Sequence, residues 1–278
     1  MNKIFILTIF IFSCLSISAQ HRIITAGSSS SEIVCALGYC EKIVATDRTS
    51  LYPEALQSLP SIGYRSNISA EGIISQNPDL VIFEKEYVKA EVISHLQATG
   101  IKTIVVTQER NLEGIQERIE IIASALNKTS EGEAMISEIK KSLKLIQKKV
   151  DSTPSKPKVL CVYARGQGNM QVGGKNSAFN LLDISGAVNA VPEIEGYKPL
   201  NTESLIKANP DYILFFDSGL KSLGGKAKVL EIPGVMQTTA GKKAQIISMN
   251  GILLSNWGPR VAEAAKELFY LTHPEVVE

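Results

Sequence analysis

A repeated segment constrains the fold of this chain more than any other feature of its sequence. Residues 69–83, SAEGIISQNPDLVIF, recur at residues 201–215 as NTESLIKANPDYILF, with the same Glu, Ile, Asn-Pro-Asp and Phe at matching places. Each copy begins with a helix-capping residue and an acidic first turn, is interrupted by proline, and ends in a short apolar strand. A helix leading into a buried strand is half of an α/β unit, so the sequence predicts an α/β protein with two lobes and a cleft between them.

The first 19 residues are typical of a secretory signal peptide. Lys3 precedes the apolar run IFILTIFIF, and small residues follow up to Ala19. We expect cleavage after Ala19 and export of the remaining chain. A lipoprotein signal at Cys14 is the less favoured alternative, because bulky Phe12 stands where such signals have a small residue. No later segment approaches the roughly 18 to 20 consecutive apolar residues of a transmembrane helix.

A long helical pattern divides the mature chain. It runs from Leu112 to about Val150 and is interrupted only near residues 127–130. A helix of twenty residues is about 30 Å long, enough to join two lobes. The sequence therefore predicts a signal peptide at 1–19, an N-terminal lobe at 20–127, a connecting helix at 128–153 and a C-terminal lobe at 154–278.

Composition excludes some classes of partner. The net charge is +1 and 21% of residues are charged, which does not favour binding to nucleic acid or to an anionic membrane surface. The lysines of residues 140–149 alternate with apolar residues at helical spacing, as on a solvated helix face. We expect the protein to be a monomer and not to bind nucleic acid. For Cys35, Cys40 and Cys161 the sequence favours small buried side chains, with a Cys35–Cys40 disulfide as the alternative.

Enzyme signatures are weak. Serines 28–31 follow a strand, but no G-x-S-x-G motif is present, and His21, His95 and His273 offer no evident base for a serine nucleophile. The glycine-rich segment 166–174 lacks the Lys-Ser/Thr pair of a phosphate-binding loop. It predicts a loop lining the cleft, followed by a helix over residues 176–183.

Four segments carry a family resemblance: RIITAGSSSSEIVCALG, LPSIGYRSNISAEGIISQNPDLVIF, GGKNSAFNLLDISGAVNAV and LLSNWGPRVAEAAKEL. They resemble the hemin-binding branch of the substrate-binding proteins of bacterial ABC importers, a cluster that also includes cobalamin and siderophore binders. The resemblance extends from about Arg22 to Leu271. It implies two Rossmann-like lobes joined by a long interlobe helix, and a periplasmic protein of iron uptake that delivers heme to an inner-membrane permease without chemistry on the ligand. A cobalamin or ferric-siderophore binder is the alternative, and an exported hydrolase is a more remote one.

The resemblance assigns the iron ligand to Tyr64. A phenolate oxygen suits ferric iron, a hard cation, but a phenol ordinarily has a pKa of about 10 and needs a nearby positive charge to ionise. Arg260, in the segment Gly-Pro-Arg, is the expected partner of Tyr64 or of a heme propionate. The usual family pattern is Gly-Tyr-x-Arg, whereas here Arg65 comes one residue early. We expect Arg65 to bind heme as well, with a side chain that points out of the cleft as the alternative.

Further residues are expected to line the heme pocket, with core packing as the alternative for each: Tyr163, Arg165, Met170, Tyr197 and Trp257. Met170 is interpreted as an apolar wall because a thioether is a poor ligand for ferric iron opposite phenolate. None of the three mature histidines falls in a predicted cleft loop. The second axial ligand, and whether one or two hemes bind, stay open at this point.

The repeat also aligns two acidic residues, Glu71 and Glu203. The resemblance implies that they dock onto arginines of the permease, one from each lobe. The alternative is a local role, because a carboxylate near a helix N-terminus stabilises the helix by about 0.3 to 1 kcal/mol.

Overall fold

The computed structural model describes residues 21–276, so the predicted signal peptide and Cys14 lie outside the described residues. The N-terminal lobe contains a four-stranded parallel sheet of order β2-β1-β3-β4. Its strands are β1 (Ile23–Ala26), β2 (Ile43–Thr46), β3 (Leu80–Glu84) and β4 (Lys102–Val106). Every residue of β1 is buried, as expected for a strand paired on both sides.

Three α-helices accompany this sheet: α1 (Ser28–Val34), α2 (Ala70–Ile74) and α3 (Ala90–Ala98). Short 3₁₀ turns lie at Cys40–Lys42, Glu54–Ser58 and Arg65–Asn67. After α1 the chain continues as a wider turn over Cys35–Tyr39, in which Gly38 adopts a left-handed φ of 85°. A disulfide joins Cys35 to Cys40, so the preference for unpaired cysteines at these two positions was wrong, while Cys161 is a free, buried thiol.

Two long helices follow the first lobe. They are α4 (Leu112–Ala125) and α5 (Thr129–Ser152), and the 24 residues of α5 make it about 36 Å long. The sequence predicts the connecting helix at 128–153, and α5 differs from that range by one residue at each end. Its buried residues Ile136, Ile139, Leu143 and Ile146 recur at helical spacing, and the helix packs on α4.

The C-terminal lobe contains a mixed six-stranded sheet. Its main order is β10-β9-β5-β6-β8, with β7 beside one end of β5. The strands are β5 (Lys158–Ala164), β6 (Met170–Gly173), β7 (Val188–Asn189), β8 (Tyr197–Pro199), β9 (Tyr212–Phe216) and β10 (Ile246–Met249). Strand β6 pairs antiparallel with β5, so the segment predicted as a glycine-rich cleft loop is largely a hairpin.

The remaining α-helices are α6 (Thr202–Ala208), α7 (Asp217–Ser222), α8 (Lys226–Leu230), α9 (Thr239–Lys242), α10 (Gly251–Ser255) and α11 (Val261–Thr272). Further 3₁₀ turns lie at Asp183–Ser185 and Val235–Gln237. The helix predicted over 176–183 is absent: these residues form turns, and only Asp183 joins a 3₁₀ turn. Within residues 21–276, no helix combines the length and the apolar composition needed to cross a bilayer.

The two lobes share one continuous hydrophobic core. A single cluster of buried side chains contains residues of β1, β5, α5 and α11, and α11 packs on α5. Because close-packed interiors resist deformation, this shared core restrains the lobes from moving freely relative to each other. The two repeat copies are α2 with β3 and α6 with β9, one in each lobe.

Candidate functional site

Tyr64 lies in a tight loop between two residues with left-handed backbone. Gly63 has a φ of 107° and Arg65 a φ of 47°. A side chain at position 63 would also meet the backbone oxygen of Asn67 at 3.2 Å. Tyr64 is 39% exposed, so this loop presents a tyrosine that is open to solvent.

Arg65 is the cation that contacts Tyr64. Its Nε donates a hydrogen bond to Tyr64 Oη at 3.0 Å, and its guanidinium lies 5.5 Å from the Tyr64 ring centroid and 5.2 Å from that of Tyr87. The side chain of Arg65 lines the cavity between the lobes and does not point out of the cleft, and heme binding by Arg65 stays a prediction. A hydrogen bond from a guanidinium stabilises negative charge on a phenolic oxygen.

A buried network supports Tyr64 from below. The Tyr64 ring meets Tyr87 edge-on, with centroids 6.3 Å apart. Tyr87 Oη donates a short hydrogen bond to Asp47, which also accepts from the hydroxyl of Ser50 at 2.7 Å and the amide of Gly27 at 3.1 Å. Burial, and then the adjacent Asp47 charge, raise the pKa of Tyr87 well above its ordinary value of 10.0. Tyr87 is thus protonated at neutral pH, and it packs against the Tyr64 ring while its hydroxyl is held by Asp47.

Sequence reasoning missed Asp47 and Tyr87. A usable signal existed, since Asp47 follows β2 directly and Tyr87 follows β3 by three residues. The carboxyl ends of parallel strands meet at one edge of a sheet, where ligands usually bind.

The floor of the cleft is a polar cavity of about 140 Å³ formed by both lobes. Its lining residues are Ser28, Thr49, Arg65, Glu84, Tyr87, Gln108, Arg110, Arg118, Ile252, Ser255 and Asn256. Burial raises the pKa of Glu84, an effect that the charge of Arg118 opposes. Residue 27 must be glycine, because its φ is 126° and a side chain there would overlap the Glu84 carboxyl.

Arg118 is buried, and its hydrogen bonds connect the lobes. Its Nε donates to Ser29 Oγ at 3.1 Å, one terminal nitrogen donates to the backbone oxygens of Thr107 and Glu109, and the other donates to that of Trp257. Burial lowers the pKa of Arg118, and the charge of Glu84 opposes this.

Arg260 does not contact Tyr64. Its guanidinium forms a two-point ion pair with Glu32, at 2.7 and 3.0 Å, and lies 3.5 Å from the ring centroid of Tyr52. Glu32 and Tyr52 belong to the N-terminal lobe, whereas Arg260 directly precedes α11 in the C-terminal lobe. This ion pair therefore connects the lobes. The expected pairing of Arg260 with Tyr64 was wrong, and the pairing with a heme propionate stays a prediction.

The other expected wall residues divide into two groups. Arg165 lies over Tyr163 at 5.3 Å, the Tyr163 ring contacts that of Tyr197 at 6.0 Å, and Met170 pairs with Ala164 across the hairpin. Trp257 is only 4% exposed and belongs to the shared core. Trp257 is therefore a packing residue and not a wall of the cleft.

The three histidines and the two predicted docking residues do not line the cavity. His95 is on the exposed surface of α3, His21 lies 6.0 Å from the Tyr39 ring, and His273 is buried and stacked on Phe269. Glu71 and Glu203 are exposed in the first turns of α2 and α6, and neither forms an ion pair within residues 21–276. In the same range, no group of three His, Cys, Asp or Glu side chains is arranged to hold a metal ion.

Comparison with known proteins identifies related chains over almost the whole described range. A family profile described as "Periplasmic binding protein" matches residues 23–253. The structure is similar to the periplasmic heme-binding protein RhuT from Roseiflexus sp. RS-1, with 32% identity and a TM-score of 0.86 over 91% of this chain and 98% of that one. It is equally similar to the periplasmic heme-binding protein BhuT in complex with two hemes, with 30% identity, a TM-score of 0.86 and the same coverage of both chains. By sequence, it is 27% identical to the vitamin B12-binding protein of Vibrio campbellii over 77% of this chain and 78% of that protein.

Proposed function

We propose that this chain, which belongs to the periplasmic binding protein family, binds heme in the cleft between its lobes and delivers it to an inner-membrane ABC importer. The observation that carries the proposal is the exposed Tyr64 phenol, hydrogen-bonded to Arg65 at 3.0 Å. Solved neighbours with 30% and 32% identity are described as heme-binding proteins. Their agreement with an iron ligand inferred from sequence favours heme over other ligands of the family.

The chemistry of the pair suits ferric heme. Phenolate oxygen is a hard, anionic ligand that ferric iron prefers, and it serves as the axial ligand of heme in catalase. The Arg65 guanidinium supplies a charge-assisted hydrogen bond to that oxygen. In this role Tyr64 would be the axial ligand, and Arg65 would stabilise its anionic form.

The size of the cavity suggests where the porphyrin would lie. The cavity on the cleft floor has a volume of about 140 Å³, less than the roughly 300 to 1,000 Å³ of typical small-molecule pockets. The porphyrin would therefore lie across the mouth of the cleft. We propose that Tyr64 contacts it there from one lobe, and that Tyr163, Arg165 and Met170 provide contacts from the other.

The first test is an absorbance titration with hemin. The wild-type protein, Tyr64→Phe and Tyr270→Phe are compared, the last as a matched loss of one hydroxyl on α11. We expect a saturable shift with high-spin ferric bands in the wild type and in Tyr270→Phe, and their loss in Tyr64→Phe. The endpoint of the titration also decides between one heme and two. If all three proteins respond alike, Tyr64 is not the iron ligand.

A cobalamin binder is the second candidate, favoured by the similarity to the Vibrio vitamin B12-binding protein, and a ferric-siderophore binder belongs to the same class. Parallel titrations with cyanocobalamin and a ferric siderophore, followed by tryptophan fluorescence, separate the three ligands. Micromolar or tighter binding of either one, without a hemin response, would replace the heme proposal.

We further propose that the protein has no catalytic activity. No histidine of residues 21–276 lines the interlobe cavity, and the hydroxyl of Ser31 is engaged with Thr25 and Ser50. The remote hydrolase alternative predicts turnover of model esters or phosphate esters. Turnover that survives purification and disappears on substitution of a cleft residue would contradict our proposal.

Export and delivery complete the proposed function. We propose that residues 1–19 direct export to the periplasm, that the mature protein is a monomer, and that Glu71 and Glu203 dock onto the permease. Their exposure and their matching places in the two lobes support docking. Glu71→Lys with Glu203→Lys should abolish heme-dependent growth while hemin affinity in vitro is unchanged. Lys substitutions at two other exposed glutamates, Glu138 in α5 and Glu231 directly after α8, are the control. Normal uptake by the Glu71/Glu203 variant would refute docking by this pair.

A further inference from the structure

We propose that the polar cavity on the cleft floor is an anion-binding site that takes a carboxylate or a small oxyanion. This proposal depends on the proposed function only in the case in which the bound carboxylate is a heme propionate. The cavity is lined by residues of both lobes and has a volume of about 140 Å³. That is too small for a porphyrin ring, yet ample for a carboxylate or a tetrahedral oxyanion.

Positive charge is in excess around this cavity. Three arginines line it, Arg65, Arg110 and Arg118, against one lining carboxylate, that of Glu84, and the Asp47 carboxylate that lies behind Thr49 and Tyr87. Charges in a partly buried space interact more strongly than charges in water. A bound anion would offset the excess, which is the main physical reason for expecting one here.

The three guanidiniums differ in the donors that they leave available. Arg118 is buried and uses its nitrogens on Ser29 and on backbone oxygens, so it contributes mainly charge. Arg65 uses only its Nε, on Tyr64. Arg110 has no side-chain hydrogen bond or ion pair with any residue between 21 and 276, although its charge acts on Glu84, Arg118 and Tyr197. Arg110 and Arg65 therefore have guanidinium donors for a ligand oxygen.

Neutral side chains complete the lining. The amide of Gln108 is a neutral donor from the N-terminal lobe. Thr49 and, from the C-terminal lobe, Ser255 also line the cavity, but their hydroxyls already donate to Asp47 and to the backbone oxygen of Gly251, each at 2.6 Å. An anion held here would contact both lobes at once. Planar carboxylates and tetrahedral oxyanions both accept hydrogen bonds from arginine in a two-point geometry.

The anion has two possible sources with the same chemistry, a free oxyanion and a propionate of bound heme. One experiment with two arms separates them. The first arm measures calorimetric binding of inorganic phosphate to the ligand-free wild type, Arg110→Gln and Arg48→Gln. Arg48 is an exposed arginine that does not line the cavity. The second arm compares hemin with hemin dimethyl ester, which lacks free carboxylates, on the same three proteins. Circular dichroism verifies that each variant is folded.

If a free oxyanion is the ligand, phosphate binds the wild type and Arg48→Gln saturably, and Arg110→Gln loses about 10-fold or more in affinity. If a propionate is the ligand, hemin binds the wild type about 10-fold or more tightly than its ester, and Arg110→Gln removes that preference. The proposal is overturned if Arg110→Gln changes neither phosphate affinity nor the preference for hemin, including the case in which neither ligand binds. Hemin binding without any preference over its ester, and without phosphate binding, would refute this site and leave the proposed function intact. Phosphate binding without hemin binding would support this site and contradict the proposed function.

Discussion

The ion pair between Glu32 and Arg260 offers a sharp test of how the lobes are held together. The Glu32 side chain is 3% exposed and that of Arg260 is 20% exposed. Replacing Arg260 with Gln leaves the Glu32 carboxylate in the interlobe contact without its cation. We expect the variant to fold and to be substantially less stable than the wild type at neutral pH.

The expected loss follows from the burial of the pair. Removing one partner of a buried ion pair costs about 3 to 5 kcal/mol. Because Arg260 remains partly exposed and screened by water, we expect the lower end, about 3 kcal/mol. For a chain of this size that loss corresponds to a decrease of about 6 to 12 °C in Tm.

The loss should depend on pH in a defined direction. Burial raises the pKa of Glu32 above its ordinary value of 4.5, and Arg260 opposes that rise. Without Arg260 the pKa rises further, so the folded state holds a proton that the unfolded state has released. Stability of the variant therefore falls as pH rises from about 4.5 through the raised pKa. The difference from the wild type should be greatest at pH 7 to 8 and shrink toward about pH 5.

Urea unfolding at acidic, neutral and mildly alkaline pH measures these differences. Arg48→Gln, an exposed arginine without a side-chain hydrogen bond or ion pair in residues 21–276, should stay within about 0.5 kcal/mol of the wild type. Glu32→Gln combined with Arg260→Gln should recover part of the loss at neutral pH, because no buried charge is then unpaired. A loss below about 1 kcal/mol at neutral pH, or one that does not vary with pH, would refute the reasoning.

Three further predictions concern the surroundings of the site. Tyr87→Phe removes a hydrogen bond to buried Asp47. Urea unfolding should show a loss of about 1 to 3 kcal/mol in the free energy of unfolding, and a smaller loss for Tyr270→Phe. In the wild type, the raised pKa of Tyr87 should also make stability fall above about pH 10, where only the unfolded state loses that proton. Gly27→Ala should lower the free energy of unfolding by about 2 to 4 kcal/mol, because the backbone is left-handed there and the new side chain would overlap Glu84. Gly168→Ala is the control, since position 168 is open. Equal stability of the two variants would contradict the prediction. Burial raises the pKa of the Cys161 thiol, so it should react with a thiol reagent only after unfolding in guanidinium chloride, and rapid reaction in the native protein would show that the lobe opens locally.

Local patterns in the sequence are sufficient for much of the architecture. Both repeat copies form the predicted helix and strand, with Ser69 and Asn201 accepting capping hydrogen bonds from the backbone amides of Gly72 and Ser204. The connecting helix α5 nearly coincides with its predicted range. Helix caps and apolar periodicity depend on residues a few positions apart, so the sequence displays them directly.

The 166–183 segment shows where local patterns fail. Glycines there suggested a loop and the following apolar residues a helix, but β6 pairs with both β5 and β8. The backbone of Lys175 forms an isolated parallel β-bridge with that of Glu195, and Asn176 adopts a left-handed φ of 56°. Pairing with distant strands therefore decides the conformation of this segment, and its own periodicity does not reveal those partners.

Local sequence patterns predict the α/β class, the duplicated unit and the long helix, and the family resemblance adds Tyr64 as the candidate iron ligand. The tertiary structure determined which arginine reaches which partner: Arg65 contacts the adjacent Tyr64, while Arg260 pairs with Glu32, 228 positions away in the chain. It also placed Trp257 in the core and brought Asp47 beneath the site through Tyr87. The physical reason is that helix and strand preferences act over a few residues, whereas the partner of a long charged side chain depends on which surfaces meet when the two lobes pack.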